Sequence, residues 1–318
     1  TKYLFNIQRR KVFMATEVSV KHDEVIRFEK AKRIAKNGTK CTTTAALSIV
    51  DGHAYVLKYN DEMTISPAIL YYVKNIAGSR TVQDPIQLCK KISGKNEYVI
   101  FNHPNSLTHY NGRFYMIDLR RGIYRFSISG EVDQEYTLDT SMTDSGFSTT
   151  DFNSIAHYDG SLFILNGKVN KVKKRRKYWV VQLNNGTIKK KGYFFCSGCA
   201  EEAWEGNDIF YDAGTHLFYV TLVHKISNPS KKDENIVVEN KIFTYDLSKL
   251  NPESDCDVEY QPTRILDEPI DEQIAESYEY EGLSIWNKRK YVAVEQTLRT
   301  HKDGFEDDGI EILSAIKS

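Results

Sequence analysis

Asparagine and glutamate recur at one place of a repeated pattern, two residues before an aliphatic residue. Amide and carboxylate oxygens are ligands that Ca²⁺ accepts. If the repeats bring these side chains to one axis, they either hold a calcium ion or line a water-filled channel. The equivalent residues are Ala45, Asn105, Asn153, one of Glu201 and Glu202, and Glu281.

Two histidines follow the asparagines at a constant spacing. His109 and His157 each lie four residues after the repeated asparagine. Histidine titrates near neutral pH and is therefore a frequent acid or base in catalysis. However, Ile49 and Ile285 occupy the same place in other copies. The spacing therefore favours packing between repeats over catalysis.

Cys196 and Cys199 form a single Cys-x-x-Cys pair. A structural zinc site needs a second pair of ligands at a suitable spacing, and the sequence offers none. A redox dithiol would need a helix that begins at the pair, within a βαβ unit. The pair is therefore predicted to be either a loop disulfide or two unreactive thiols.

Six basic residues occur among the seven at 171–177, which the repeat pattern places in a hairpin loop. Such a loop either contacts a polyanion or is a solvated tip. Nucleic acid is not favoured as that polyanion, because the 43 basic and 43 acidic residues of the chain cancel. The residues predicted for polyanion contact are Lys173, Lys174, Arg175 and Arg176.

The elements that must position these residues are repeated hairpins. Each hairpin has a short strand, a two-residue turn and an aromatic-rich strand, and most are followed by a third strand. Asp51-Gly52, Asn111-Gly112 and Asp159-Gly160 are dipeptides that favour type I′ turns. The segments are 46–58, 106–119, 154–167 and 282–296, with a more divergent copy at 200–223.

Repeated antiparallel strands at this spacing predict an all-β, five-bladed β-propeller with four-stranded blades in a single domain, 1–318. The segment at 24–35, with a strand over Val25 to Arg33, is predicted to complete the last blade and close the ring. An irregular β-sandwich is the alternative. The predicted blades are approximately 41–92, 98–138, 148–196, 197–266 and 276–318.

Composition excludes several classes of protein. No apolar run reaches the ~18–20 residues of a membrane helix, and no secretory signal opens the sequence. The five cysteines are too few for a disulfide framework at 318 residues. Catalytic and nucleotide-binding motifs such as G-x-S-x-G are absent from the sequence. The many Lys, Asn, Ile and Tyr residues indicate a bacterial source, and we expect a monomer.

Two families resemble parts of this chain. The blades at 103–118 and 151–165, together with Glu281-Gly282, resemble calcium-dependent propellers of the gluconolactonase and paraoxonase type. That resemblance implies calcium held by asparagine and glutamate on the channel. The segments at 199–203, 153–160 and 279–285 are similar to segments of helveticin J-type bacteriocins, large antibacterial proteins of lactic acid bacteria.

These observations predict a non-enzymatic recognition propeller, helveticin-like, that binds an anionic polymer or a cell-surface component with loops on one face. The alternative is a calcium-dependent lactonase or esterase, in which a channel cation polarises the carbonyl and a carboxylate activates water. In that alternative three residues are metal ligands and a fourth is a ligand or base. They are Asn105, Asn153 and Glu281, with Glu202 as the fourth.

Overall fold

The fold consists almost entirely of β-strands. The computed structural model describes residues 15–119, 122–138, 152–170, 172–200, 204–227, 235–269, 275–298 and 308–315. Over these ranges the chain forms strands and one 3₁₀ turn, and no α-helix. None of its described segments is a helix of the length and apolar character needed to span a membrane. The first elements are strand β1 (Thr16–Arg27) and the 3₁₀ turn η1 (Lys30–Lys32).

The first group of strands is built on the β2–β3 hairpin. The strands are β2 (Thr43–Val50), β3 (His53–Tyr59), β4 (Ser66–Pro67), β5 (Ile69–Lys74), β6 (Thr81–Val82), β7 (Ile86–Gln87), β8 (Cys89–Ile92), β9 (Lys95–Tyr98) and β10 (Ile100–Phe101). β3 pairs with β2 and β5, and β5 pairs with both β6 and β7. β8 and β9 form a separate hairpin, and β10 pairs with β4.

The second and third groups each contain four antiparallel strands. The second has β11 (Pro104–Tyr110), β12 (Arg113–Asp118), β13 (Gly122–Ser127) and β14 (Val132–Leu138). The third has β15 (Ile155–Asp159), β16 (Leu162–Asn170), β17 (Arg175–Asn184) and β18 (Thr187–Ser197). Neighbours in the chain pair within each group. A short parallel pairing of β14 with β18 joins the groups.

The fourth and fifth groups contain the remaining strands. The fourth has β19 (Trp204–Asp212), β20 (Leu217–Ser227), β21 (Asn235–Asp246) and β23 (Arg264–Pro269), while β22 (Asp255–Tyr260) pairs with β18 of the third group. The fifth has β24 (Ala275–Trp286), β25 (Arg289–Leu298) and β26 (Gly309–Ala315). β1 pairs antiparallel with β26 and, at its start, parallel with β23.

Two of the three predicted turns have the backbone conformation that type I′ requires; at Asp159-Gly160 only Gly160 has positive φ, because Asp159 still pairs with Leu162. Both residues of Asp51-Gly52 and of Asn111-Gly112 have positive φ, between 49° and 76°. The same holds at 287–288, where Asn287 and Lys288 adopt φ of 49° and 62°. Turns of this type match the right-handed twist of the strands that they join. They therefore connect the first and second strands of these groups tightly.

The first strands of the five groups, which we call the inner strands, contact one another in a closed cycle. β2 contacts β11 and β24, β11 contacts β15, and β19 contacts both β15 and β24. Antiparallel groups arranged radially around a central channel are the architecture of a β-propeller. The prediction of an all-β propeller is confirmed.

The hydrophobic core lies between neighbouring groups. On β12, Phe114 and Met116 pack into a cluster shared with the first group, whereas Tyr115 and Ile117 pack against the third group. Successive side chains of a strand point to opposite faces, so one strand contributes to two clusters. The same alternation occurs at β3, β16, β20 and β25.

The N-terminal strand differs from its predicted bounds. It ends at Arg27, so residues 30–33, predicted as strand, form η1 and the residue after it. The reason is that this segment turns inward. The Glu29 N–H donates to the Tyr71 hydroxyl at 2.8 Å, and the buried Arg33 guanidinium lies 3.4 Å from the buried Asp308 carboxylate. These contacts are incompatible with a continuous edge strand.

Candidate functional site

A polar cavity of about 330 Å³ lies at the N-terminal end of the inner strands. All five equivalent places of the repeat line it: Ala45, Asn105, Asn153, Asn207 and Glu281. Its other charged or imidazole side chains are Asp61, His103, Glu205, Lys225, Glu279 and Glu295. We call it the acidic cavity.

The structure brings together three of the four predicted calcium ligands. Asn105, Asn153 and Glu281 share the acidic cavity, whereas Glu202 lies outside the described residues, as does Glu201. The fourth copy instead contributes Asn207, which our sequence reasoning missed. The sequence contained a signal for Asn207: residues 207–209 are Asn-Asp-Ile, which has the same spacing as Asn-Ser-Ile at 153–155.

Glu279, Glu281 and Lys225 form the charged centre of the cavity. Lys225 Nζ lies 3.0 Å from Glu279 Oε2 and 3.3 Å from Glu205 Oε2. Burial alone would lower the pKa of Lys225, but Glu279, Glu205 and Glu281 raise it above its ordinary value. Burial raises the pKa of Glu281 well above its usual range, and Glu279 raises it further, while Lys225 opposes them. Burial therefore favours the protonated form of Glu281 beside the ion pair of Glu279 and Lys225.

The asparagine amides connect neighbouring inner strands. Asn153 Nδ2 donates to the carbonyl of Gly206 at 2.8 Å, and its buried Oδ1 has no hydrogen-bond partner. Asn207 Nδ2 donates to the carbonyl of Tyr280 at 3.0 Å and lies 3.4 Å from Glu281 Oε1. These amides therefore fix the strand starts around the cavity.

The opposite wall holds a histidine and a further glutamate. The backbone N–H of His103 donates to the buried carboxylate of Asp118 at 2.7 Å, and the Tyr59 hydroxyl lies 3.0 Å from His103 Nδ1. Glu295 Oε2 accepts the N–H of Thr44 at 3.2 Å. These side chains come from loops and strands of the first, second and fifth groups.

Among the described residues, no three or more His, Cys, Asp or Glu side chains are grouped so as to hold a metal ion. The positive charge beside Glu205 and Glu279 comes from Lys225. Calcium binding stays a prediction.

A smaller cavity of about 160 Å³ lies at the C-terminal end of the inner strands, and both repeated histidines line it. We call it the histidine cavity. The His157 ring stacks on Tyr110 of the second group, with ring centroids 3.9 Å apart, and His109 packs edge-on against Phe114. Burial lowers the pKa of both histidines. The stacking of His157 on Tyr110 is the packing between repeats that the spacing predicts.

The Cys-x-x-Cys pair is not a loop disulfide. Cys196 and Cys199 are free and fully buried, and Cys196 lies within β18. Burial raises the pKa of both thiols above the ordinary value. Of the two predicted alternatives, the structure contains the unreactive thiols.

The basic segment is a solvated tip only in part. Lys173 and Lys174 are exposed, and Lys171 lies outside the described residues. Strand β17 begins at Arg175, whose guanidinium lies 3.6 Å from the centre of the Phe195 ring. Arg176 is 5% exposed and points toward the carbonyl of Cys199. The prediction of a solvent-projecting loop is therefore wrong for both arginines, because strand pairing with β18 extends through them.

No family model matches the chain, and no curated protein matches it. The resemblances to helveticin J and to the lactonase propellers therefore stay predictions. Solved structures do align with it. The α-L-arabinanase of Cellvibrio cellulosa, solved with arabinohexaose, has 9% identity and a TM-score of 0.48, with 85% of this chain and 91% of the other covered.

Two further structures align at similar levels. An exo-1,5-α-L-arabinanase from a bovine ruminal metagenomic library has 12% identity and a TM-score of 0.42, covering 90% of this chain and 95% of its own. A structure described as a glycoside hydrolase has 10% identity and a TM-score of 0.49, covering 95% and 93%.

The prediction of a non-enzymatic recognition protein is corrected. The three similar structures are described as enzymes, two arabinanases and a glycoside hydrolase, and none as a binding module or bacteriocin. That prediction assigned function to loops on one face of the propeller. The acidic cavity instead gathers acids from β19, β24 and β25, which are far apart in the sequence.

Proposed function

We propose that this protein is a glycoside hydrolase in which Glu281 is the general acid and Glu279 is the partner carboxylate. One observation carries the proposal: two carboxyl groups in one cavity have different environments. Burial favours the protonated form of Glu281, whereas Glu279 is paired with Lys225 at 3.0 Å. Two carboxyl groups in different environments can supply the acid and the base of one reaction.

The reaction needs both groups. Glu281 would protonate the oxygen of the leaving sugar as the glycosidic bond breaks. Glu279 would either accept a proton from a water that attacks the anomeric carbon, or attack that carbon itself. In the second case water then hydrolyses the bond between the sugar and Glu279, and Glu281 accepts the proton of that water. Lys225 would hold the Glu279 carboxylate in orientation, and the product sugar would leave with the proton of Glu281.

The lining of the cavity fits a sugar better than an apolar ligand. Amides, hydroxyls, an imidazole and carboxylates converge on it, and these groups match the hydroxyls of a carbohydrate. Apart from Glu281, whose protonated form is favoured by burial, four carboxyl groups share the cavity with one lysine. This excess of negative charge favours neutral or amino-bearing sugars and opposes uronic acids.

The experiment is a hydrolysis screen with neutral, amino-bearing and uronic oligosaccharides, each incubated with wild-type protein, Glu281→Gln and Glu62→Gln. Glu62 is exposed and is the matched control. We expect cleavage by the wild type and the control, and loss of about 10²–10⁴-fold in rate with Glu281→Gln. Activity that survives Glu281→Gln, or a wild type inactive on every class, contradicts the proposal.

We also infer that the propeller has five blades in one domain, close to the predicted boundaries, with β1 completing the last blade. Five inner strands in a closed cycle and five clusters between neighbouring groups support this count. Two predictions about ligands are kept as proposals. Calcium at Asn105, Asn153, Glu202 and Glu281 is tested by calorimetric titration of chelator-treated protein. Polyanion contact is considered below.

A further inference from the structure

The histidine cavity is built from two successive places of the repeat. In each inner strand these are the first and second residues after the buried aliphatic residue. All five strands except β15 contribute a lining residue at the first place, and all five contribute one at the second. The side chains that can form hydrogen bonds are Ser48, Thr108 and Ser284 at the first place, and His109, His157 and Tyr211 at the second.

The histidine cavity is separate from the acidic cavity. Within the described parts of the chain, the two cavities share no lining residue. Between them, the buried carboxyl group of Asp208 accepts the Ser106 hydroxyl at 2.6 Å and the N–H of Leu283 at 3.0 Å. A ligand in the histidine cavity would therefore occupy a second site on this protein.

Two polar side chains of the cavity have no hydrogen-bond partner within the described protein. The hydroxyls of Thr108 and Ser284 each accept a backbone N–H of the neighbouring inner strand at 3.1 Å. The side chains of Ser48 and His109, in contrast, form no hydrogen bond with any described residue. Polar groups away from bulk solvent are normally satisfied by the protein, by water or by a ligand. Ser48 and His109 are therefore available to a ligand.

The size and lining of the cavity favour one small apolar ring. Its volume is about 160 Å³. An apolar cavity of about 150 Å³ in another protein admits benzene, whereas drug-sized ligands occupy cavities of about 300 Å³ or more. Aliphatic and aromatic side chains make up most of the lining, and among the described residues no carboxylate, lysine or arginine contributes to it. An uncharged ligand is therefore favoured over an ionic one.

The two available polar side chains fit one hydroxyl group. A neutral imidazole has one nitrogen that accepts a hydrogen bond, and a serine hydroxyl can donate one. Ser48 lies on β2 and His109 on β11, and these two inner strands contact each other. A ligand hydroxyl that donates to His109 and accepts from Ser48 would satisfy both side chains at once.

We propose that the histidine cavity binds an uncharged, single-ring aromatic alcohol of the phenol class, with its hydroxyl between Ser48 and His109. The ligand ring would pack against the rings of Phe210 and Tyr211, which line the same cavity. This site goes beyond the proposed glycoside hydrolysis and does not depend on it, because the two cavities are separate.

The first test is calorimetric titration of the wild-type protein with phenol and with benzene, which has the same ring without the hydroxyl. We expect phenol to bind at a single site. Benzene should bind about tenfold more weakly or worse, because it leaves Ser48 and His109 unpaired. A wild type that binds no phenol, or that binds phenol and benzene equally, overturns the proposal.

Two variants locate the site with residues that the repeat already contains. His109→Ile gives β11 the residue that β2 and β24 carry at this place, and Ser48→Ala gives β2 the alanine of β15, so both should fold. We expect phenol affinity to fall about tenfold in His109→Ile and less in Ser48→Ala, with benzene binding unchanged.

The matched control is His224→Ile, because His224 lies on β20 and does not line the cavity. It should leave the affinity for phenol at the wild-type value. Phenol affinity that is unchanged in both His109→Ile and Ser48→Ala overturns the proposal, and so does an equal loss in His224→Ile.

Discussion

The two ends of the channel are lined by the same inner strands and have opposite chemistry. The acidic cavity has five carboxyl groups around one lysine, whereas the histidine cavity has two imidazoles among aromatic, aliphatic and hydroxyl side chains. The backbone scaffold is common to both, so the difference arises from side chains at the two ends of each strand. One propeller can therefore present a charged, polar cavity at one end and a cavity lined by packed rings at the other.

The two ends also respond to pH in opposite directions. Burial raises the pKa of Glu281 at the acidic cavity and of Asp208 just below it, and lowers the pKa of both histidines. The carboxyl groups therefore resist losing a proton, and the imidazoles resist gaining one. Variants at each end should separate these responses.

The largest expected effect is on activity at the acidic end. Glu279→Gln removes the partner carboxylate and should lower kcat/KM by about 10²–10⁴-fold on the substrate found by the screen. His109→Gln, at the histidine end, should keep kcat/KM within about threefold of the wild type. Equal losses in the two variants, measured by steady-state kinetics, would show that the two ends do not differ in role.

The next effect is on the stability of the channel centre. Burial raises the pKa of Asp208 to about 7, against the hydrogen bonds from Ser106 and Leu283 that lower it. The folded protein therefore binds the proton more tightly than the unfolded chain. The contribution of Asp208 to stability should therefore be greatest in acid and be lost as pH rises from about 4 through 7, by on the order of 4 kcal/mol.

Asp208→Asn should remove this loss of stability with rising pH. Urea unfolding of both proteins at pH 5 and pH 8 measures it. The change between the two pH values is the quantity to compare, since the variant can also alter stability uniformly. If the stability of the wild type changes with pH above 5 as much as that of Asp208→Asn, then Asp208 does not titrate in this range.

A smaller change of stability with pH, opposite in sign to that of Asp208, is expected at the histidine end. His157 has a folded pKa below its unfolded value, so its contribution to stability is present above about 6.5 and is lost as pH falls from there to the folded pKa. His157→Phe keeps a ring on Tyr110 and should reduce this loss, with stability at pH 7 changed by about 1 kcal/mol or less. Urea midpoints at pH 5 and pH 7 check it. An unaltered acid response in the variant would assign that response to other groups.

The smallest effect is expected at the exposed lysines of the basic segment. Lys173→Ser with Lys174→Ser should change stability by no more than about 0.5 kcal/mol. If these lysines contact a polyanion, the same change weakens binding to an anionic polymer at low salt. Arg176→Ala is the contrasting variant, because this side chain is buried and its removal leaves a gap. A clear fall in melting temperature for the lysine pair would contradict their placement in solvent.

Local sequence patterns explain which features of the fold could be predicted from the sequence alone. The hairpin turns were readable because the dipeptides at 51–52 and 111–112 favour positive φ at both residues. The N-terminal strand was predicted too far along the chain. The apolar pattern at 24–35 does not reveal that Arg33 turns inward to Asp308. Arg176 was assigned to solvent because a run of basic residues hides where strand pairing resumes.

The sequence by itself determined the repeated unit, the all-β propeller and three of the polar residues that meet at one cavity, since these follow from spacing along the chain. Only the tertiary structure decided that Glu279, Glu281 and Lys225 form one charged centre and that Asp208 lies beneath it. The physical reason is that protonation depends on burial and on charges brought close by folding. Lys225 and Glu279 are far apart in the chain, and no pattern in the sequence records that they are 3.0 Å apart in space.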